Sequence, residues 1–135
     1  MAKIAIIGSR GYTNKRKIKE FVFKLKEKLG DELEIVSGGA KEGADKYAKK
    51  YSLDFDVKYS EFPAYHEPHN IHCVLESFRY GKPYNVGHYH RRNKDLVEYS
   101  DKVVAFVTDS NRITNGTLSA LRYTEKINKK SIIFE

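Results

Sequence analysis

Five short apolar runs punctuate the chain, and helical periodicity fills most of the intervals between them. KIAII (3–7) is β-branched and ends at Gly8, LEIVS (33–37) ends at Gly38, and KVVAFV (102–107) and SIIFE (131–135) are similar in kind. DFDVKYSE (54–61) alternates and predicts a less buried strand. Between the first two runs, Ile18, Phe21, Val22, Leu25 and Leu29 recur at steps of three and four, which marks one apolar helix face over 14–29. Thr13 or Asn14 suits its start and Gly30 its exit. Shorter helices are predicted over 43–51, through Ala44, Tyr47, Ala48 and Tyr51, over 91–100, and over 117–128, through Leu118, Leu121 and Ile127. Strands that alternate with helices form a parallel sheet covered on both faces. Right-handed crossovers then give an α/β, Rossmann-like three-layer sandwich with five parallel strands in the order 3-2-1-4-5, one domain over 1–135.

A chain of 135 residues can bury a core without disulfide or metal staples. Cys73 is the only cysteine, so no intrachain disulfide forms. The apolar run before Gly8 is too short for a signal peptide, and no run approaches the roughly 20 residues of a membrane span. The expectation is a soluble, cytoplasmic protein. Lys and Arg number 25 against 18 Asp and Glu, a formal charge of +7. The lysines of NKRKIKEFVFKLKEK, DKYAKKY and EKINKK are dispersed among acids and read first as solvated helix faces. The excess still favours an anionic partner, a nucleotide before a polymer.

Residues 62–90 break the regularity. They hold Pro63, Pro68, Pro83, Gly81 and Gly87, and IHCVLESFRY fits a short helix. A long connection inside a compact domain is usually functional or mobile, so this stretch reads as an irregular insertion or flap. His66, His69, His72 and Cys73 are metal-ligand types, but Pro68 interrupts them and neither C-x-x-C nor H-E-x-x-H is present. No metal and no cofactor is assigned. Tyr65, Phe78, Tyr80, Tyr84 and Tyr89 could stack on a base, or pack against the domain or a second subunit.

In a sheet of this order, ligands bind at the carboxyl ends of the strands, where the order reverses. Three small-residue loops fall there: Gly8-Ser9-Arg10-Gly11, then Ser37-Gly38-Gly39-Ala40 with Gly43-Ala44-Asp45, and Asn115-Gly116-Thr117. Glycines admit a phosphate to the backbone, first-turn helix amides are free donors, and Arg10 is a permanent planar cation. Asp45 would repel a phosphate and so suits an amide cap or a ribose hydroxyl. Gly38 and the glycine of Gly43-Ala44-Asp45 lack the Lys-Ser/Thr of a P-loop, and the spacing is not G-x-G-x-x-G.

GSRGY, SGGAKEGAD, YGKPYN, RRN, YSDKVVAFV and NGT, in that order, resemble the YspA-like branch of the SLOG superfamily. SLOG groups Rossmann-like domains related to the Smf DNA-processing proteins and the Lonely Guy phosphoribohydrolases, and similar small proteins occur in phages. The resemblance runs from about residue 3 to the end and implies a nucleotide or nucleotide-derived, ADP-ribose-like ligand, sensed or sequestered, and a homodimer. Gly8, Ser9, Arg10, Ser37, Gly38, Gly39, Ala40, Gly43, Asp45, Arg92, Asn93, Gly116 and Thr117 match its motif positions. Arg92 and Asn93 are expected at the start of their helix. Lonely Guy enzymes carry a catalytic glutamate three residues after the threonine of their second glycine motif, where this chain has Ala120. An N-glycosidase acting on nucleotides is therefore the alternative, and a single-strand nucleic-acid binder a further one.

Overall fold

A computed structural model describes all residues, 1–135. Five parallel strands, β1 (Ala2–Gly8), β2 (Leu33–Ser37), β3 (Lys58–Glu61), β4 (Lys102–Phe106) and β5 (Lys130–Phe134), form one sheet in the order β3-β2-β1-β4-β5. Four helices connect them: α1 (Lys15–Leu29), α2 (Gly43–Asp54), α3 (Gly87–Tyr99) and α4 (Asn115–Lys126). The predicted fold class and strand order are those observed. No helix is long and apolar enough to cross a membrane.

Alternation along the strands builds two cores. Ile4, Ile6, Ile35, Val104 and Phe106 face α1 and α2 and meet Ile18, Val22, Ala44 and Ala48. Ala5, Ile7, Val36, Val103 and Ala105 face the other way and meet Leu96 and Val97 of α3 and Leu121 of α4. With β1 between β2 and β4, the loops that follow all three strands stand side by side.

Three expectations are corrected. The third strand begins at Lys58 rather than residue 54, because α2 runs on to Asp54 and the chain then turns through Asp56 in a left-handed conformation (φ 56°). The last helix before β4 begins at Gly87 rather than residue 91, so His88, Tyr89 and His90 are helical and the irregular stretch ends at Val86. IHCVLESFRY forms only a single 3-10 turn, Ser77–Arg79. Its earlier part is bound to the sheet: Glu61 donates its amide to the His72 carbonyl at 2.9 Å, and Val74 donates to the Glu61 carbonyl at 3.3 Å. The insertion thereby pairs with the last residue of β3, whereas Ile132 and Ile133 of β5 stay partly exposed at the other edge.

Candidate functional site

A crevice of about 560 Å³ opens where the three loops converge. Gly8, Ser9 and Arg10 supply its first wall, Gly38, Ala40 and Asp45 its second, and Gly116, Thr117 and Ala120 its third, while Arg92 and Asn93 enter from α3. A smaller lobe of about 230 Å³ adjoins it and is lined by Gly39, together with Arg10, Gly38 and Arg92.

The first two loops are bonded mostly within themselves, and one bond, from the Ala44 amide to the Ser9 carbonyl, joins them. Ser9 accepts the Gly11 amide on its hydroxyl at 3.0 Å, and its carbonyl accepts the amides of Tyr12 (3.2 Å) and Ala44 (3.3 Å). Gly39 donates to the Ser37 hydroxyl at 3.2 Å, and Ala40 donates to Asp45 Oδ2 at 3.1 Å. Those amides are therefore already satisfied. Two of the residues singled out from the motifs line neither the crevice nor its lobe. Ser37 is fully buried, and its hydroxyl lies 2.5 Å from that of Tyr59, which in turn donates to Glu61 Oε1 at 2.9 Å. Gly43 packs beneath the first loop, where a Cβ would stand 2.2 Å from the Ser9 carbonyl oxygen.

Arg92 is not at the start of its helix but in the middle of α3. Its Nη1 donates to the carbonyls of Gly38 (2.5 Å) and Phe62 (3.2 Å), so part of the guanidinium is spent on holding the second loop in place. Asn93 Nδ2 donates to the Gly116 carbonyl at 3.3 Å and ties α3 to α4. Burial pushes the Asp45 carboxyl above its ordinary range, against the opposing pull of Arg92 and the Ala40 amide. It is the only carboxylate on the crevice wall.

Unspent donors remain at α4 and Arg10. The amides of Asn115, Gly116 and Thr117 have no acceptor, and no side chain caps the helix. Arg10 is exposed, forms no ion pair, and lies with its guanidinium carbon 5.5 Å from the centre of the Tyr89 ring. A helix N-terminus with free amides carries partial positive charge, and a guanidinium beside it makes the wall suited to an anion.

Sequence reasoning did not place Ile7, Val86, His90, Leu96 or Thr114 at the site. Thr114 had a usable signal, a threonine before a helical run. His90 had none, because its position depends on where α3 begins. Tyr89, noted only as an aromatic of the insertion, lies on the wall between Arg10 and Arg92. His66 and His88 approach through their Nδ1 atoms at 3.2 Å, and His66 Nε2 lies 3.3 Å from the Tyr89 hydroxyl. The histidines, Cys73 and the acids nowhere form a group of three or more able to hold a metal ion.

No protein-family model matches the chain, and no curated protein does either. Among solved structures, DNA processing protein A from Helicobacter pylori, studied for its single-stranded DNA binding mode, superposes with a TM-score of 0.70 at 23% identity, over 98% of this chain and 64% of that one. The chain thus spans somewhat less than two thirds of that protein. The molybdenum cofactor binding protein of Rippkaea orientalis gives 0.74 at 18% identity, and the molybdenum cofactor carrier protein of Chlamydomonas reinhardtii gives 0.63 at 16%. Each covers 98% of this chain and is itself covered to 75%. At these identities the likeness establishes the fold, the Rossmann-like sandwich that the SLOG resemblance implies.

Proposed function

We propose that the protein binds a phosphate-bearing small molecule of the nucleotide type in this crevice, as a sensor or sequestering protein of the YspA-like kind. The observation that carries the reading is the coincidence of three unpartnered α4 amides with the unpaired Arg10 guanidinium on one crevice. A phosphate bound there takes its hydrogen bonds from Asn115, Gly116 and Thr117 and its countercharge from Arg10. Tyr89 offers an aromatic face beside it. The structural neighbours, one studied for single-stranded DNA binding and the others for binding or carrying a molybdenum cofactor, are ligand-binding proteins of the same fold.

Hydrolysis of a nucleotide is the weaker reading. Cleavage of a glycosidic bond needs a carboxylate poised at the anomeric carbon. Ala120 on the α4 wall offers a methyl group, and the Asp45 carboxyl is engaged with the Ala40 amide. Nucleoside monophosphates incubated with the protein are expected to release no free base.

The binding test is a thermal-shift panel of nucleotides and nucleotide derivatives. A ligand at 100 times its Kd stabilises by about 2.7 kcal/mol, enough to read as a clear shift. One member is expected to raise Tm in the native protein and not in Arg10→Ala. A flat response to every phosphate-bearing compound would overturn the proposal. The same purified protein, run by sedimentation with and without that ligand, tests the homodimer that the resemblance implies.

A further inference from the structure

A second concavity, about 510 Å³, lies on the outer face of the α1–α2 layer and shares no residue with the crevice. Lys15, Arg16 and Lys19 form its rim, and Phe23, Tyr51 and Phe55 its floor. We infer that this groove binds single-stranded nucleic acid, with a base against Phe23 and Phe55 and the backbone phosphates on Lys15 and Lys19.

Phe23 is the first reason. It lies off the apolar face that buries Ile18 and Val22, and 48% of it is exposed. It is not isolated, because its ring meets Phe55 edge-on at 5.6 Å, and Phe55 in turn stacks on Tyr51 at 6.1 Å and 24°. The result is an aromatic floor open on one side, not a lone surface residue.

Charge is the second. α1 carries seven basic residues against two acids, Glu20 and Glu27. Two of the seven are committed: Lys17 to the Glu135 carbonyl, and Lys26 to the carbonyls of Phe55 and Asp56. Arg16 shares an exposed pair with Glu20, the one acid lining the groove. Lys15 and Lys19 have no carboxylate partner, and Lys19 Nζ stands 6.0 Å from the Tyr51 ring centre. Lys50 Nζ, itself paired with Asp54, lies 5.5 Å from the same ring.

Spacing is the third. Lys15, Lys19 and Phe23 follow one another at four-residue steps, about 6 Å of helix rise each, along one stripe. Cations in line with a flat ring are the elements by which proteins hold single strands without sequence preference. An acidic peptide would use the lysines but has no need of the open floor. A duplex would use the charge but could not present a base face to Phe23.

The test is fluorescence anisotropy with a labelled short oligothymidylate and the full chain. Binding is expected at low salt and should weaken as salt rises, by about 0.7 logarithmic units of affinity per unit of log salt for each phosphate contact. Lys15→Glu with Lys19→Glu should remove most of the affinity and flatten that dependence. Phe23→Ala should cost about tenfold with the salt slope kept, since stacking is uncharged. Arg10→Ala should leave the oligonucleotide binding unchanged, and the two groove variants should keep the crevice's thermal shift, so the two sites fail separately. Absence of binding, binding lost in Arg10→Ala and kept in the groove variants, or an acidic peptide that binds equally well with or without Phe23, would each overturn the assignment. All the substituted side chains are exposed or half-exposed, and unchanged melting of the variants confirms that the fold is intact.

Discussion

Gly43 and Gly116 both stand beside the crevice and serve different ends. Gly43 has φ 72°, and a Cβ would lie 2.2 Å from the Ser9 carbonyl oxygen and 2.6 Å from Arg10 Cα, so the fold itself requires glycine there. Gly116 has nothing within 4 Å of a Cβ position, and its backbone is that of an ordinary first helical turn. Nothing in the packing asks for glycine at 116, which leaves close approach of a ligand as its use. Gly116→Ala is accordingly expected to raise stability in urea by up to about 1 kcal/mol. It should at the same time weaken the crevice ligand by tenfold or more as a rough measure, one contact's worth. Stability up with affinity unchanged would remove the α4 amides from the binding account. This distinction was invisible in the sequence, where GGAKEG and NGT look alike. Nor could spacing show that the Ser37 hydroxyl is consumed by Tyr59, 22 residues further on.

At the scale of elements, the insertion is the least regular part of the chain, and three prolines and scattered histidines without a period mark it in the sequence as an irregular insertion or flap. One buried carboxylate pins it to the sheet. Glu61, at the end of β3, takes Asn70 Nδ2 on Oε2 at 2.5 Å, and the Tyr59 hydroxyl (2.9 Å) and Lys49 (3.3 Å) on Oε1. Asn70 is thus the side chain that fastens the insertion to the sheet. Asn70→Ala should cost about 1.5–3 kcal/mol, the range for a hydrogen bond to a charged group. The loss should be local. Amide exchange should accelerate at Glu61 and Val74, which bridge the sheet and the insertion, and stay slow in β1 and β4. Equal acceleration throughout the sheet would mean that the contact is part of the global core. The regular elements were legible because each has a period that burial enforces, as Ile4 and Ile6 do on one face of β1 and Ala5 and Ile7 on the other. The start of α3 was not, because Gly87-His88-Tyr89-His90 has no apolar period. Its first turn is set by tertiary neighbours, with His88 against Tyr65 and His66, and Tyr89 beside Arg10.

For the whole molecule, alternation and crossover handedness were enough to give the strand order, and that order put the three loops in one place. They could not reveal the charge buried inside the sandwich. Glu34 sits on β2 with no exposed surface, among residues that otherwise form an apolar layer. Ser60 donates to its Oε2 at 2.7 Å and Tyr99 at 2.6 Å, and Lys58 Nζ stands 3.2 Å from Oε1. Burial pushes this carboxyl up, but Tyr99, Ser60 and Lys58 together outweigh it and hold it below its ordinary value. A carboxyl lowered in the folded state stabilises the fold above its unfolded pKa, and the contribution is lost as pH falls through the folded value. Asp45, raised by burial, acts with the opposite sign, so the overall acid limb mixes the two. The difference between the native protein and Glu34→Gln isolates the first. At neutral pH the variant should be less stable by about 2–3 kcal/mol, because an amide accepts the two hydroxyls more weakly and gives Lys58 no countercharge. From roughly pH 4.3, the ordinary glutamate value, the gap should close as pH falls, since the native carboxyl then takes up its proton too. Urea titrations of both proteins at several pH values measure it. A gap of constant size down to strong acid would show that Glu34 matters by shape alone, and that its charge contributes nothing to holding β2, β3 and α3 together.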